Sequence, residues 1–293
     1  MLIFGKKWSR LWPILPLIVI ALILVFIPGN WPEYRAYTYV AVVLLLVLNL
    51  ILVGREINGL WVGVFIDNRN RISLSKLQMG AWTIVVLSAL ATAAAFNAAT
   101  DMYQGNAVTA FSVVIPGELL LAMGISATSL VGAPMLLSVK AQEDPTAQAV
   151  ADSQARFGTT GTGKVMTRAK PQDASWVDLV TGEELGNASS PDLGKIQQVL
   201  VTLLLLGIYT AYIYALFAGT AEKITHLPIL DQSFVWLMGI SHASYLVYKA
   251  APHTASGDAN NLPAGGANGG NPNPAPGAGG AANPPKPKPG NGQ

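Results

Sequence analysis

The sequence contains no cysteine, which excludes disulfide bonds, thiolate catalysis and cysteine-ligated metals. Charge is also scarce: Asp, Glu, Lys and Arg make up 12% of the 293 residues, whereas an ordinary soluble domain carries about 25%. The formal net charge of +2 indicates no particular partner, and we expect no nucleic acid to bind. Hydrophobic residues make up 51% of the chain, which predicts that its main partner is the lipid bilayer.

Six segments lack acidic and basic side chains over most of the roughly 20 residues that a membrane-spanning helix requires. They lie near residues 11–28, 37–54, 78–98, 117–139, 196–218 and 233–249. Backbone groups find no water to bond inside a bilayer, so we expect these segments to be helices. The predicted fold class is all-α: a polytopic membrane protein with six transmembrane helices in three hairpins.

Lys and Arg near these segments predict the orientation. Ten of them fall on one side: Lys6, Lys7, Arg10, Arg55, Arg69, Arg71, Lys76, Lys140, Lys195 and Lys249. Only Arg35 and Lys223 fall on the other side. Because basic residues collect on the cytoplasmic side of membrane proteins, we expect the first side and both termini to be cytoplasmic.

Two short motifs occur twice. The sequence LSKLQ at residues 74–78 returns as LGKIQ at 193–197, and GISA at 124–127 returns as GISH at 239–242. A Thr follows each Gln five residues later, at Thr83 and Thr202. The unit between the motifs holds two predicted spans, so the last two hairpins are predicted to form an internal repeat. Both copies start on the same side, which makes the repeat parallel, with its axis along the membrane normal.

These patterns divide the chain into five parts. Residues 1–54 form the first hairpin, 55–140 the first repeat, 141–175 a polar cytoplasmic loop, 176–252 the second repeat and 253–293 a disordered tail rich in Gly, Pro and Asn. Each repeat is predicted to open with a short strand or an interfacial segment, at 61–66 and 176–180. Residues 141–175 show no sustained apolar period, so we expect a mobile loop.

Polar residues in and beside the spans are candidates for a pathway at the repeat seam. His242 is the only His in a predicted span, which suggests a proton or ion role; alternatively, a neutral imidazole bonds to Ser or Tyr on a neighbouring helix. Glu118 and Asp231 begin the second helix of each repeat, either as acids favoured by the helix dipole or as an acidic mouth for cations. The candidate set is His242, Glu118, Asp231, Thr83, Thr202, Ser126 and Ser241.

Two further sets concern assembly. Small residues recur at a spacing of four along the second helix of each repeat: Gly124, Thr128 and Gly132, and Gly239 and Ala243. Such faces allow helices to approach closely, either at the internal seam or in a homo-oligomer. The turns before the repeated helices carry opposite charges, so we predict pairing across the repeats among Arg69, Arg71, Glu183 and Glu184.

No catalytic, cofactor-binding or metal site is predicted. The run at 158–165 is similar to a phosphate-binding loop, but Val165 stands where a hydroxyl should bind Mg²⁺, and no apolar strand precedes it. The spans contain no paired carboxylates, and the three His residues form no cluster in the sequence. We therefore expect a protein that is not an enzyme and that uses no cofactor.

Residues 64–78, VFIDNRNRISLSKLQ, and 238–243, MGISHA, resemble sequences in a family of bacterial integral membrane proteins without an assigned activity. The resemblance covers roughly residues 55–253 and implies a bacterial inner-membrane location. Two functions are compatible with the sequence. The polar residues favour a channel or transport-like subunit with a pathway at the repeat seam. The alternative is a scaffold that presents residues 141–192 and the tail to a cytoplasmic protein partner.

Overall fold

The computed structural model describes residues 11–104, 112–220 and 222–251, without the side chains of residues 103 and 104. Seven α-helices lie in these ranges: α1 (Ile14–Asn30), α2 (Arg35–Asn58), α3 (Leu74–Gln104), α4 (Gly117–Lys140), α5 (Ala147–Phe157), α6 (Leu193–Gly219) and α7 (Gln232–Ala250). The same ranges contain only isolated β-bridges, which confirms the all-α class. The predictions for Lys6, Lys7, Arg10 and the 253–293 tail concern residues outside the described ranges.

Four helical segments are long and apolar enough to cross a membrane: Pro32–Asn58, Leu74–Met102, Gly117–Lys140 and Leu193–Gly219. The length and the apolar composition of these four segments indicate a membrane protein. Helix α1 is apolar but has only 17 residues, and α7 has 19. Polar residues such as Ser241, His242 and Lys249 lower the hydropathy of α7. The helices thus follow the six predicted segments, but only four of the described helices are long and apolar enough to be candidate membrane spans.

The helices pack around a core of buried apolar side chains from α2, α3, α4, α6 and α7. Its largest members include Tyr39, Trp82, Tyr209, Ile213 and Phe217, each at most 2% exposed. The outward faces of the helices carry large exposed apolar side chains instead. Such faces suit contact with lipid chains, because lipid is as apolar as these side chains.

The connection between α6 and α7 closes one end of the bundle. Asn97 of α3 holds this connection by two bonds, donating to Ile224 O at 2.8 Å and accepting from Ile224 N at 3.0 Å. Arg35 of α2 is buried and donates to Glu222 O at 2.8 Å. Lys223 forms an ion pair with buried Asp101. Polar groups at this end therefore bind backbone that the helices leave unpaired.

Residues 59–73 and 141–192 cover the opposite end, where α3 and α6 begin and α4 and α7 end; we call these residues the cap. Three 3₁₀ turns lie in it, at Gly63–Phe65, Pro171–Asp173 and Trp176–Leu179, together with helix α5. The α2 helix packs so closely against the first turn that a Cβ on Gly63 would clash with the carbonyl oxygen of Gly54. That contact requires glycine.

The cap corrects two predictions. Residues 141–175, predicted to be a loop without regular structure, contain a helix: Thr146 caps α5 by accepting from Ala149 N, and an apolar cluster of Ala149, Met166, Leu185 and Ala188 packs α5 onto the rest of the cap. Residues 61–66 and 176–180, predicted to be short strands or interfacial segments, form no strand and contain 3₁₀ turns at Gly63–Phe65 and Trp176–Leu179. The order of the cap comes from bonds between distant residues, such as Arg168 N to Arg69 O at 2.9 Å, which no local pattern reveals.

Candidate functional site

Ion pairs concentrate where the cap meets the helix ends. Glu183 is the centre, because its carboxylate pairs with Arg69 at 3.1 Å, with Lys195 at 3.2 Å and with Lys249. These cations come from the turn before α3, the first turn of α6 and the last turn of α7. One carboxylate therefore links the two segments of the cap to each other and to the ends of α6 and α7.

A second buried group surrounds Arg71, which is 2% exposed. Its Nε lies 3.2 Å from Asp178 Oδ1, its Nη1 donates to Gly182 O at 2.7 Å, and its Nη2 donates to Thr181 Oγ1 at 3.0 Å. Asp178 also accepts from Arg168 Nη2 at 2.7 Å. Removal of one partner from such a network would leave a buried charge uncompensated.

These contacts show which partners the four residues of the predicted cross-repeat pairing have in the structure. Arg69 and Glu183 lie together, but Arg71 is bonded to Asp178 rather than to Glu184, whose Oε1 lies 2.5 Å from Lys140 Nζ. Asp178 was missed because it lies 107 residues from Arg71 and outside the charged turn that the sequence singled out. The lysine partners of the two glutamates were also missed, although all lie at helix ends: Lys140, Lys195 and Lys249.

The cap carboxylates have pKa values set by two opposing effects. Burial alone would raise the pKa of Glu183, but Lys195, Lys249 and Arg69 hold it well below its usual range. Burial likewise acts to raise the pKa of Asp178, and Arg71 brings it below its ordinary value. Both carboxylates are therefore ionised at neutral pH, and the network is held together by full charges.

A line of polar side chains runs from this cluster into the bundle along α7. Lys249 Nζ donates to Tyr245 OH at 2.6 Å, and one turn further His242 Nδ1 lies 2.6 Å from Ser129 Oγ of α4. His242, Tyr245 and Lys249 share one helix face, because they are spaced by three and four residues. The Ser129 contact is the bond to a neighbouring helix that the sequence left open for His242.

Several polar atoms deeper in the bundle are buried without a hydrogen-bond partner in the described part of the protein. They include Ser88 Oγ, Thr92 Oγ1, Ser126 Oγ, Ser241 Oγ and His242 Nε2. Ser126 and Ser241 belong to the pathway candidates, and all five residues are at most 3% exposed. Burial of a polar group without a bond costs about 1–3 kcal/mol by protein mutational data, so these atoms call for an explanation other than packing.

The two repeated threonines have different surroundings. Thr202 is buried and accepts from Gln78 Nε2 at 2.6 Å, and Gln198 Nε2 donates to Gln78 Oε1 at 3.1 Å. Thr83 is exposed and bonds only to its own helix, at Met79 O, in the contacts of the described residues. Thr202 thus joins α3 to α6, whereas Thr83 lies outside the polar interior.

The two acids at the end of the bundle opposite the cap, Glu118 and Asp231, also differ in their surroundings. Asp231 is exposed and caps α7, with Oδ1 accepting from Ser233 N at 2.8 Å. Glu118 is half-buried in the first turn of α4. The contact of Asp231 is that of a helix N-terminal acid, which is the simpler of the two readings of the sequence.

The small residues on α4 and α7 also differ in their surroundings, because some lie at the contact between the two helices and others are exposed. A Cβ on Gly132 would lie 3.6 Å from the δ carbons of Leu246 on α7, and one on Gly239 would lie 3.7 Å from Ile125 Cδ1 on α4. Nothing lies within 4 Å of a Cβ on Gly124. The exposed residues of the set are Gly124, Thr128 and Ala243. The predicted small-residue stripe therefore contributes to the α4–α7 contact only at Gly132 and Gly239.

A cavity of about 470 Å³ lies against the ion-pair cluster. Its polar side comes from the cap, the start of α3 and the end of α7: Asp67, Asn68, Arg69, Ser73, Lys76, Thr162, Thr167, Glu183, Tyr245 and Lys249. Its apolar side comes mainly from α4: Leu130, Ala133, Pro134 and Leu137. The cavity therefore adjoins both the charged cap and the polar line along α7.

Neither metal-ligand geometry nor comparison with known proteins assigns a function to this site. Within residues 11–104, 112–220 and 222–251, no group of three or more His, Asp or Glu side chains is placed to hold a metal ion. No family model matches the chain, and no curated protein or solved structure is significantly similar to it. The resemblance to bacterial membrane proteins stays a prediction, and the functional argument rests on the geometry above.

Proposed function

We propose that this protein is a transport-like membrane subunit that carries protons along a polar route in the bundle interior. It spans a bacterial inner membrane with six helices in three hairpins, the last two forming a parallel repeat. The cap and both termini face the cytoplasm, since the cap end collects the basic residues. The protein is not an enzyme and needs no cofactor.

The observation that carries the proposal is the set of buried, unpaired polar atoms in α3, α4 and α7. Ser88, Ser126 and Ser241 are each at most 1% exposed and their hydroxyl oxygens have no partner among the described residues. Polar and ionisable groups inside a membrane are costly and mark ion pathways and proton relays. Apolar residues of similar volume would pack this interior at lower cost.

The close packing of these residues favours protons over hydrated cations. Ser126, Ser241 and His242 are 0%, 1% and 3% exposed, which leaves no room for a hydration shell in this packing. Hydroxyl groups and imidazole both donate and accept hydrogen bonds, so rotation of these side chains into contact would pass a proton without an open pore. The Lys249–Tyr245 pair lies between the cap and His242, about one helical turn from the imidazole.

Proton flux in proteoliposomes tests the proposal. The purified full chain is reconstituted with an internal pH dye, and a potassium gradient with valinomycin drives protons inward. We expect acidification well above that of protein-free liposomes, and a reduction of about tenfold in His242→Phe, because the ring remains but both nitrogens are lost. Ser129→Ala should reduce the flux less, since it removes one bond to the imidazole.

Thr128→Ala is the matched control, because Thr128 neighbours Ser129 but is exposed and bonds only to Gly124 O of its own helix in the described contacts. It should conduct like the unmodified protein. Flux equal to that of empty liposomes, or equal flux in the His242 variant with intact folding, would contradict a proton route at this position.

A scaffold is the second candidate, and the folded cap is the observation that favours it. The cap has its own apolar cluster around Met166 and a helix, α5, whose outer residues are exposed. A photo-crosslinking amino acid at exposed Gln154 tests this function. One specific protein adduct in cells, combined with no flux in liposomes, would support the scaffold, and a complete lack of adducts would count against it.

A further inference from the structure

The cavity beside the cap has the size and the two-sided lining of a ligand site. Its volume of about 470 Å³ lies within the roughly 300–1,000 Å³ that small-molecule sites occupy. We propose that it binds a phosphate-bearing anionic amphiphile, with the phosphate against the cap and the acyl chains along α4. This site shares Tyr245 and Lys249 with the cap end of the proposed proton route, but the binding of the amphiphile does not require proton flux.

Arg69 gives the first argument. Its Nε and Nη2 donate to Asp67 Oδ2 at 2.8 and 2.5 Å, and its Nη2 also reaches Glu183 Oε1 at 3.1 Å. Its Nη1 is buried without a protein partner among the described residues, although Arg69 lines the cavity. An unsatisfied charged donor is costly, and a phosphate oxygen is an acceptor that guanidinium groups bind strongly.

The charge of the lining gives the second argument. Three cations and two carboxylates line the cavity: Asp67, Arg69, Lys76, Glu183 and Lys249. Lys195 lies 3.2 Å behind one carboxylate, that of Glu183, so the positive charge exceeds the negative charge further. Lys76 Nζ donates one hydrogen bond to Ile66 O at 2.8 Å. Because an ammonium group has three donors, it can also donate to a ligand. The lining therefore favours an anion over a cation or a neutral ligand.

The apolar wall gives the third argument, because it distinguishes an amphiphile from a free anion. Leu130, Ala133, Pro134 and Leu137 present hydrocarbon on one side of the cavity. Pro134 is exposed, and its neighbour Met135 is 63% exposed on the apolar surface of a candidate membrane span. The cavity thus lies where acyl chains give way to headgroups, and basic pockets beside membrane helices are typical sites for anionic headgroups.

Equilibrium binding to the purified full chain in a neutral detergent tests the proposal. The probes are radiolabelled dioctanoyl phosphatidylglycerol, dioctanoyl phosphatidylcholine and inorganic phosphate. We expect saturable one-to-one binding of the phosphatidylglycerol, at least tenfold tighter than either other probe. The choline headgroup cancels the phosphate charge, and inorganic phosphate lacks the chains that contact α4.

Two substitutions fill the cavity, and each has a control on the adjacent lipid-facing position of α4. Leu130→Trp and Ser138→Trp should weaken phosphatidylglycerol binding at least tenfold, whereas Val131→Trp and Val139→Trp should leave it unchanged. Both controls replace exposed side chains, at 61% and 60% exposure. Size-exclusion elution and the melting temperature confirm that each variant is folded, and the second pair decides the matter if Leu130→Trp is not.

Three results would overturn the proposal. Equal binding in the cavity-filling variants and their controls would place the lipid elsewhere. Equal affinity for phosphatidylcholine would remove the selectivity that the cations should provide. Equal affinity for inorganic phosphate would assign the site to a free anion and leave the apolar wall without a role. Arg69→Gln should also weaken binding in a folded variant, and unchanged affinity there would contradict the role given to its unpaired Nη1.

Discussion

Replacement of Glu183 by Gln is the sharpest test of the ion-pair cluster. The change keeps the volume of the side chain but removes the charge that balances Arg69, Lys195 and Lys249. Breaking a buried ion pair by neutralising one partner costs about 3–5 kcal/mol, because the remaining charges stay buried without compensation. We expect Glu183→Gln to lower the free energy of unfolding by about that amount.

The matched control is Glu143→Gln. Glu143 pairs with Lys164 at 2.6 Å, but the two side chains are 46% and 34% exposed, and exposed pairs contribute about 0–1 kcal/mol. Both variants are unfolded in detergent and followed by the fluorescence of the seven tryptophans. If both variants lose the same small amount of free energy, Glu183 is solvated in the protein, and the argument that it links the cap to the ends of α6 and α7 is refuted.

Three further predictions use other parts of the chain. Since the folded-state pKa of Glu183 lies well below its ordinary 4.5, its stabilisation is complete above that value and is lost as the pH falls below it; the difference between the unmodified protein and Glu183→Gln should therefore shrink in acid unfolding experiments. Gly132→Leu should cost about 1–3 kcal/mol by overpacking against α7, whereas Gly124→Leu, which has open space, should melt like the unmodified protein. Cysteine introduced at Asn106 should react with an impermeant maleimide in intact cells, and cysteine at Gln154 should not; equal labelling would contradict the proposed topology.

The helix positions could be predicted from the sequence because a single physical requirement decides them. Apolar runs of span length must satisfy their backbone groups internally, and helices do so within one segment. The start of α6 shows the limit of such reasoning: Asp192 caps it by accepting from Lys195 N at 3.1 Å, although Ser190 and Pro191 form an equally typical helix start. Local patterns fix a helix more reliably than its first residue.

The cap could not be predicted in the same way. Its polar composition matches that of a mobile loop, and its order depends on partners far away in the sequence, such as Arg71 and Asp178. One local signal was available: Ala149, Ser153 and Phe157 recur every four residues, which is the spacing of one helix face, and the first two are buried in α5. The buried part of this stripe consists of the small residues Ala149 and Ser153, so a search for large hydrophobic residues misses it.

The polar interior shows why the site was only partly predictable. The pathway candidates were chosen by residue type and repeat position, but whether a side chain faces the interior depends on the rotation of its helix. Thr83 and Thr202 occupy equivalent motif positions, yet only Thr202 is buried. Conversely, Ser129 lies outside both motifs and is the residue that contacts His242.

The ion-pair cluster explains how one protein can hold both the proposed route and the proposed lipid site. Buried ion pairs are poor sources of net stability, because desolvation offsets their attraction, but in some proteins they discriminate between alternative packings. Glu183 pairs with cations of the 59–73 cap segment, the start of α6 and the end of α7, so a shift of any one of these elements leaves a charge unpaired. The same contacts fix Tyr245 and Lys249, which lie both at the cavity and at the cap end of the α7 line. We therefore infer that the cluster sets the register of the helix ends on which both proposed sites depend.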